Sequence, residues 1–348
     1  MNRRIAFDRL GGPDVLDIVD ADLPAPGEGH VRVRMSAVGL NRAELLFFGG
    51  QYLMQPDLPG SPVGYEGAGV VEAVGPGAGD HKPGDRVCVT PMFDQVRYGV
   101  IADAVNIPAT ALEPIPDGVD DIDAAAFWMA YGTAYGLLAL KGGLDDGEAR
   151  TIVLNAASSS VGLALIQLAK AWGHKTIALT TSPSKRDTLA SAGAEYVVVT
   201  QRGGGDEALA GQIMEASDER GFDLFLDAVG GPALADVAPA AGFEAKMVQY
   251  GLLSGEVADL PIDALLGKGA SLSGFHLIWH LLQHEDRRLA ARDALLPLWS
   301  SGHLAPKIDK VFSGLDSVCQ GYKHLSSNAQ VGKVVVRLDR NQDARSSS

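Results

Sequence analysis

A run of small residues, Asn155-Ala156-Ala157-Ser158-Ser159-Ser160-Val161-Gly162, separates the apolar strand signal Thr151 to Asn155 from the helical signal Val161 to Trp172. At such a strand-to-helix junction, small residues let backbone N–H groups at the helix N-terminus approach the pyrophosphate of a dinucleotide. Of the G-x-G-x-x-G pattern only Gly162 is present, with Ala157 and Ser159 in the first two places. A serine here equally caps a helix that binds nothing. The end of the next strand favours the first reading. It carries Thr180-Thr181-Ser182, followed by Lys185 and Arg186, where an NAD enzyme presents Asp or Glu to the ribose hydroxyls. Hydroxyls and two cations with no carboxylate suit a dianionic 2′-phosphate, so the cofactor expected is NADPH. The plain alternative is a solvated basic helix start.

These residues need a scaffold, and the chain supplies one in two textures. From Val15 to about Asp123 it reads as short strands, such as Val31 to Val38 and Gly69 to Val74. Gly/Pro turns at Pro24 to Gly29, Gly75 to Gly79 and Lys82 to Asp85 punctuate them, which predicts a β-rich, barrel-like unit. Beyond Ala124, strand and helix alternate: Thr151 to Asn155, Val161 to Trp172, Thr176 to Thr180, Ser184 to Ala192, Tyr196 to Thr200, Phe222 to Asp227, Ala233 to Ala240, Ala245 to Tyr250 and Ser271 to Phe275. Regular alternation implies a parallel sheet with right-handed crossovers, a doubly wound nucleotide-binding domain. From about His276 a helix precedes a strand Val334 to Leu338 that returns to the first domain, and Asp339 to Ser348 is a polar tail. A cleft between two domains is where cofactor and substrate are expected to meet.

Bulk properties narrow the function classes. With 348 residues, 46% hydrophobic and 21% charged, the chain has room for two ordinary globular domains. A formal charge of −14 repels phosphate backbones, which argues against nucleic acid as a partner. Arg3 and Arg4 are not followed by an apolar run, so no secretory signal is expected and the cytoplasm is the default. The longest uncharged stretch, Ala124 to Leu140, is interrupted by Gly and Tyr and falls short of the ~18 apolar residues of a membrane span. It is predicted to be a buried helix. Two cysteines, Cys88 and Cys319, make neither a disulfide framework nor a four-thiolate zinc site.

Three further motifs stand in order: Val38-Gly39-Leu40-Asn41-Arg42-Ala43-Glu44, Pro62-Val63-Gly64-Tyr65-Glu66-Gly67-Ala68-Gly69, and Lys82-Pro83-Gly84-Asp85-Arg86-Val87. Together with the nucleotide turn, they resemble the medium-chain dehydrogenase/reductases, in particular their quinone oxidoreductase branch, from about Gly11 to Leu338. The resemblance implies a GroES-like β-barrel catalytic domain at 1–124 and 276–348, a Rossmann domain at 125–275, and a homodimer. In the zinc alcohol dehydrogenases of this superfamily the positions of Asn41, Tyr65 and about Met129 hold the metal. An amide, a phenol and a thioether do not replace thiolate and imidazole at a tetrahedral zinc. Without that Lewis acid, alcohol oxidation loses its main stabilisation, whereas a conjugated acceptor delocalises the charge that hydride brings. His276, His280 and His284 recur every four residues, but a packed or exposed histidine stripe is preferred over a metal site.

The same resemblance assigns roles. Asn41 and Thr133 match positions beside the nicotinamide and its ribose. The turn residues Ser159, Ser160, Val161 and Gly162, with Thr180, Thr181, Lys185 and Arg186, match the phosphate and ribose sites. Asp227, Val229, Tyr250, Gly251, Leu252 and Phe275 lie at later strand ends whose backbone holds the carboxamide, and Gly230 and Gly251 also permit tight turns. Lys333, in Gly332-Lys333-Val334, is expected to reach the cofactor phosphates. Tyr52 aligns with a tyrosine that enoyl reductase relatives place near the acceptor; its phenol would protonate the product or close the pocket as an aromatic lid. Tyr65, Phe93, Trp128, Met129 and Trp279 are candidates for an apolar acceptor pocket or for core. The expected activity is NADPH-dependent reduction of a small hydrophobic quinone or α,β-unsaturated carbonyl without catalytic zinc. An enoyl reductase acting on a thioester and a non-catalytic NADPH-binding scaffold are the alternatives.

Overall fold

The strand His30–Leu40 is long enough to serve three neighbours, and around it the computed structural model, which describes residues 1–201 and 203–338, builds the first of two compact units. This unit comprises Met1–Met129 and the segment from Ala305 onward. Its N-terminal part holds β1 (Asn2–Phe7), β2 (Leu16–Ala21), β3 (His30–Leu40), β4 (Ser61–Pro62), β5 (Gly67–Val74), β6 (Arg86–Val89), β7 (Ala104–Pro108) and β8 (Leu112–Pro114). Strand β1 pairs antiparallel with β2 and β4, although the strand pattern of the sequence begins only near Val15. Its polar residues conceal it: Arg3 is satisfied by Asp103 at 3.0 Å while Ile5, Ala6 and Phe7 are buried. The core packs Val31, Val33 and Met35 of β3 with Phe47, Phe48 and Val71, the inward residues of half-buried antiparallel strands.

The second unit, Ala130–Leu304, carries six strands: β9 (Thr151–Leu154), β10 (Lys175–Thr180), β11 (Tyr196–Val199), β12 (Phe222–Asp227), β13 (Ala241–Gln249) and β14 (Ser271–Gly274). All pair in parallel, in the order β11-β10-β9-β12-β13-β14. This doubly wound order reverses between β9 and β12, and at such a switch point the carboxyl ends of the strands leave a ligand crevice. Ile152, Val153, Leu154, Phe225 and Leu226 are fully enclosed, as the interior strands of a parallel sheet require.

The stretch Ala124 to Leu140 is buried but is not one regular helix. A helix spans Trp128–Tyr135 and continues as a π-helix over Gly136–Gly142. A Cβ on Gly136 would lie 2.2 Å from the ring of Phe275, so Gly136 admits that ring. Leu277 lies beside Gly132, and Phe275 stacks on His280 at 5.6 Å. These contacts place residues 276–304 with the parallel sheet, whereas the boundaries read from the sequence fall earlier, at 124 and 275. Among the described residues, no helix is long and apolar enough to cross a membrane. The polar tail Asp339 to Ser348 lies outside the described residues.

The C-terminal segment of the first unit adds β15 (Ile308–Ser313), absent from the strand pattern of the sequence, and β16 (Lys333–Arg337), which pair in parallel. Strand β16 joins β3 antiparallel with Val334 opposite Leu40 and Val335 opposite Gly39. One residue further along that register, Lys333 comes opposite Asn41. On the other side of β3, Gly67 pairs with Val38, which brings Glu66 beside Gly39.

Candidate functional site

In the parallel-sheet unit the carboxyl ends of β9 and β12 are tied together at the switch point. Asn155 Nδ2 donates to Asp227 Oδ1 at 2.6 Å, and the Ala228 N–H donates to Asn155 Oδ1 at 2.8 Å. Asp227 Oδ1 also accepts from the N–H groups of Val229 and Gly230 at 2.8 and 2.9 Å, shaping a turn in which Gly230 and Gly231 have positive φ. The Tyr250 N–H donates to the Asp227 carbonyl at 2.9 Å. The N–H groups of Val229 and Tyr250 are therefore spent internally. Burial, and then the charge of Asp227, raises the Tyr250 phenol. Asn155 is a positioning residue that the turn motif contained but that its spacing did not single out. Gly251 closes on the backbone of Ala228, Leu252 is exposed, and Phe275 ties its N–H to the Gln249 carbonyl.

The turn after β9 is a cradle with a capped wall. Ser159 caps the helix Ser160–Ala171, its Oγ accepting from the Gly162 N–H at 3.0 Å, so Ser160 and Val161 form the first turn. A Cβ on Gly162 would lie 2.4 Å from the carbonyl of Ala157, which excludes every other residue there. Lys185 reaches over from the end of β10 and donates from Nζ to Ser158 Oγ at 3.2 Å. Thr180 Oγ1 accepts from the Ser182 N–H, Thr181 is exposed, and Arg186 donates to the Val197 carbonyl. Of the expected basic pair, Lys185 thus faces the turn while Arg186 braces β11. Thr133 is buried on the helix Trp128–Tyr135.

In the first unit a buried ion pair between Lys333 and Glu66 lies against Asn41 and the backbone of Met129. Lys333 Nζ donates to Glu66 Oε1 and, at 2.6 Å, to Asn41 Oδ1. Asn41 Nδ2 donates to Glu66 Oε1 at 2.9 Å and to the Gly39 carbonyl at 3.2 Å, while the Met129 N–H donates to Glu66 Oε2 at 3.0 Å. Lys333 and Glu66 are each nearly inaccessible, 2% and 1% exposed. A side chain on Gly39 would meet Lys333 Cε at 2.7 Å and Glu66 Oε1 at 2.8 Å, so Gly39 is the space the pair occupies. The Lys333 ammonium, expected to reach the cofactor phosphates, here faces Glu66 and Asn41. The motif Gly332-Lys333-Val334 carries no information on the partner, and Glu66 stands in the motif beside Tyr65.

Next to this cluster, Glu44 closes a capping box with Asn41 and accepts from the Tyr322 hydroxyl at 2.9 Å. Burial pushes Glu44 up to about 8. Burial and then the charge of Glu44 push Tyr52 up to about 12 and hold Tyr65 well above its ordinary range. Of the apolar candidates, Phe93 meets Tyr98 edge-on at 5.9 Å, Trp128 packs on Phe127, and Trp279, 42% exposed, lies against His276 at 4.4 Å. His280 Nδ1 binds the backbone of His276, and His284 precedes the helix Glu285–Ser300 as its N-cap. Among the described residues, no group of three His, Cys, Asp or Glu side chains is placed to hold a metal ion.

Comparison with known proteins agrees with this architecture. A family described as the alcohol dehydrogenase GroES-like domain matches residues 27–117, and one described as zinc-binding dehydrogenase matches residues 160–289. The synaptic vesicle membrane protein VAT-1 homolog of Homo sapiens is 32% identical, over 96% of this chain and 86% of that protein. A quinone oxidoreductase of Pseudomonas aeruginosa is 30% identical over 97% of this chain and 99% of its own. The crystal structure of Escherichia coli quinone oxidoreductase complexed with NADPH superposes with a TM-score of 0.83 at 26% identity, covering 96% of this chain and 99% of that one. The GroES-like unit and the doubly wound sheet define an oxidoreductase fold, and the chain belongs to the medium-chain dehydrogenase/reductase superfamily, in its quinone oxidoreductase-like branch.

Proposed function

We propose that this chain is an NADPH-dependent reductase of quinones or α,β-unsaturated carbonyls that works without catalytic zinc. One observation carries the cofactor choice: the Lys185 ammonium lies 3.2 Å from Ser158 Oγ, at the end of a strand that offers Thr180, Thr181 and Ser182 and no carboxylate. A 2′-phosphate finds charge and hydroxyl donors there, while a bare ribose finds no acid to bind. The Escherichia coli relative complexed with NADPH supports this reading. The residues fit a dinucleotide: Gly162 admits the pyrophosphate to the first turn of the helix, and the Asn155–Asp227 tie holds the strand ends around it. When bound, NADPH supplies hydride at its nicotinamide, beside which Thr133 and Asn41 are assigned.

The zinc-free reading rests on donor chemistry. Asn41, Tyr65 and Met129 offer neither thiolate nor imidazole, and Asn41 Oδ1 already faces the Lys333 ammonium, whose charge opposes a second cation at that oxygen. Tyr52, with its phenol held protonated up to about 12, retains its proton through the neutral range and is the donor assigned to the product. The test is consumption of NADPH and of NADH against a panel of quinones, enones and enoyl thioesters, with metal analysis of the same sample. NADPH-selective turnover with substoichiometric zinc is expected; stoichiometric zinc, or cofactor binding without turnover on any acceptor, refutes the assignment.

A further inference from the structure

Two contacts grip the helical stretch that carries Thr133, one on each side of it in sequence. Tyr131, 2% exposed, donates its hydroxyl to Gln167 Oε1 at 2.7 Å. Gln167 belongs to the helix Ser160–Ala171, the one whose first turn is capped by Ser159. At Gly136, where the α-helix gives way to a π-helix, the ring of Phe275 is admitted: a Cβ there would lie 2.2 Å from Cζ and 2.7 Å from Cε2. The ring is fixed in turn. It stacks on His280 with 5.6 Å between centroids, and the Phe275 N–H donates to the Gln249 carbonyl at 2.9 Å, which holds Phe275 beside β13 immediately after β14. On a helix, side chains three positions apart share a face and those two apart do not. Thr133 therefore shares the face of Gly136 and of the Phe275 ring, while Tyr131 ties down a different one. A π-helical turn set into a helix is frequently a functional feature, and a close-packed interior leaves the notch little freedom to adjust.

We propose that Tyr131 and the notch formed by Gly136 and Phe275 are positioning elements for hydride transfer: together they set Thr133 relative to the phosphate turn and to the carboxyl end of the last strand. The inference rests on the reductase reading above, in which Thr133 lies beside the nicotinamide. A dinucleotide is held at two ends, and the protein must fix the distance between the groups that hold them. The first turn of the helix Ser160–Ala171 is the phosphate end, and through Gln167 and Tyr131 that same helix sets the position of Thr133. Phe275, seated at Gly136, sets the spacing between the Thr133 face of the helix and the end of β14. Hydride moves only in near-attack geometry, and a misplacement of about 1 Å costs about 10²-fold in rate. Tyr131 and Gly136 act through Thr133 and Phe275, so their signature is a loss of rate with the phosphate end of the site intact.

Gly136→Ala puts a methyl where the ring tip now sits, and kcat for NADPH-dependent reduction of a benzoquinone is expected to fall by about 10²-fold. Adenosine 2′,5′-bisphosphate, which carries phosphates without a nicotinamide, should bind this variant as tightly as wild type, while the nicotinamide emission of bound NADPH should change. Phe275→Leu in the same chain removes the atoms that a Cβ at 136 would meet, and the double variant is expected to recover most of the lost rate. Tyr131→Phe removes only a hydroxyl and tests the other contact even where alanine at 136 prevents folding. Its kcat should fall by about two- to tenfold, the equivalent of one neutral hydrogen bond. Its affinity for the bisphosphate should hold, and the primary isotope effect from NADPH deuterated at C4 should rise. Wild-type kcat and emission in both single variants, a double variant no faster than Gly136→Ala, or bisphosphate affinity lost in step with rate overturns the proposal. A wild type that binds NADPH and turns over no acceptor overturns the reductase reading itself.

Discussion

The ammonium of Lys333 donates to Oδ1 of Asn41 at 2.6 Å, so the amide that caps the helix Arg42–Phe48 is held by a buried lysine. The antiparallel register of β3 and β16 places the two residues opposite one another, and Glu66 neutralises the charge. Breaking one side of a buried pair leaves the other uncompensated, which costs about 3–5 kcal/mol, whereas replacing both partners costs far less. Lys333→Met is therefore expected to destabilise the fold by that amount in urea titrations. Adding Glu66→Gln should recover much of the loss, and a Lys333→Met protein as stable as wild type would show that the pair is not buried.

Glu44 makes stability depend on pH with a definite sign. Its folded value, about 8, lies above the ordinary 4.5, so between these values the native state holds a proton that the unfolded chain has released. Its contribution is complete below about 4.5 and is lost as pH rises through about 8. Glu44→Gln, permanently neutral, should lose less Tm than wild type across that window, and the gap should widen up to about pH 8. Parallel melting curves check this: a Glu44→Gln protein that loses as much Tm as wild type between pH 5 and pH 9 would refute it.

The cofactor preference is testable at Lys185. A hydrogen bond from a charged donor contributes about 1.5–3 kcal/mol, which corresponds to roughly ten- to a hundredfold in affinity. Lys185→Ala is expected to raise the Kd for NADPH by that factor and to leave the Kd for NADH within about twofold. Equal losses for both cofactors, measured by fluorescence titration, would assign Lys185 to the turn's structure rather than to the 2′-phosphate.

Tyr52→Phe separates proton donation from packing. The ring is retained and only the hydroxyl is lost, so NADPH affinity should hold while enone turnover falls by about 10²-fold or more, as general-acid catalysis would have it. A kcat equal to that of wild type would leave Tyr52 as an aromatic lid.

Much of this molecule is legible from local sequence. The alternation from Thr151 to Phe275 encodes the parallel sheet because short, mostly apolar strand segments recur between helical ones. Gly162 and the Thr180-to-Arg186 segment announce the dinucleotide turn because those functions depend on residues only a few positions apart. Strand β1 escaped because its outward residues are arginines, and β15 because its alternation is short and largely exposed.

Pairings across the fold are another matter. The sequence by itself determined the fold class, the family, the small-residue turn and the absence of thiolate and imidazole at three positions. Only the tertiary structure decided that Lys333 faces Asn41 and Glu66, that Asn155 clamps Asp227, and that burial raises the pKa of Glu44. Lys333 and Glu66 stand 267 residues apart; their union depends on strand register and on the space left by Gly39. Burial, which sets the charge of Glu44, is a property of the packed unit and of no residue within it.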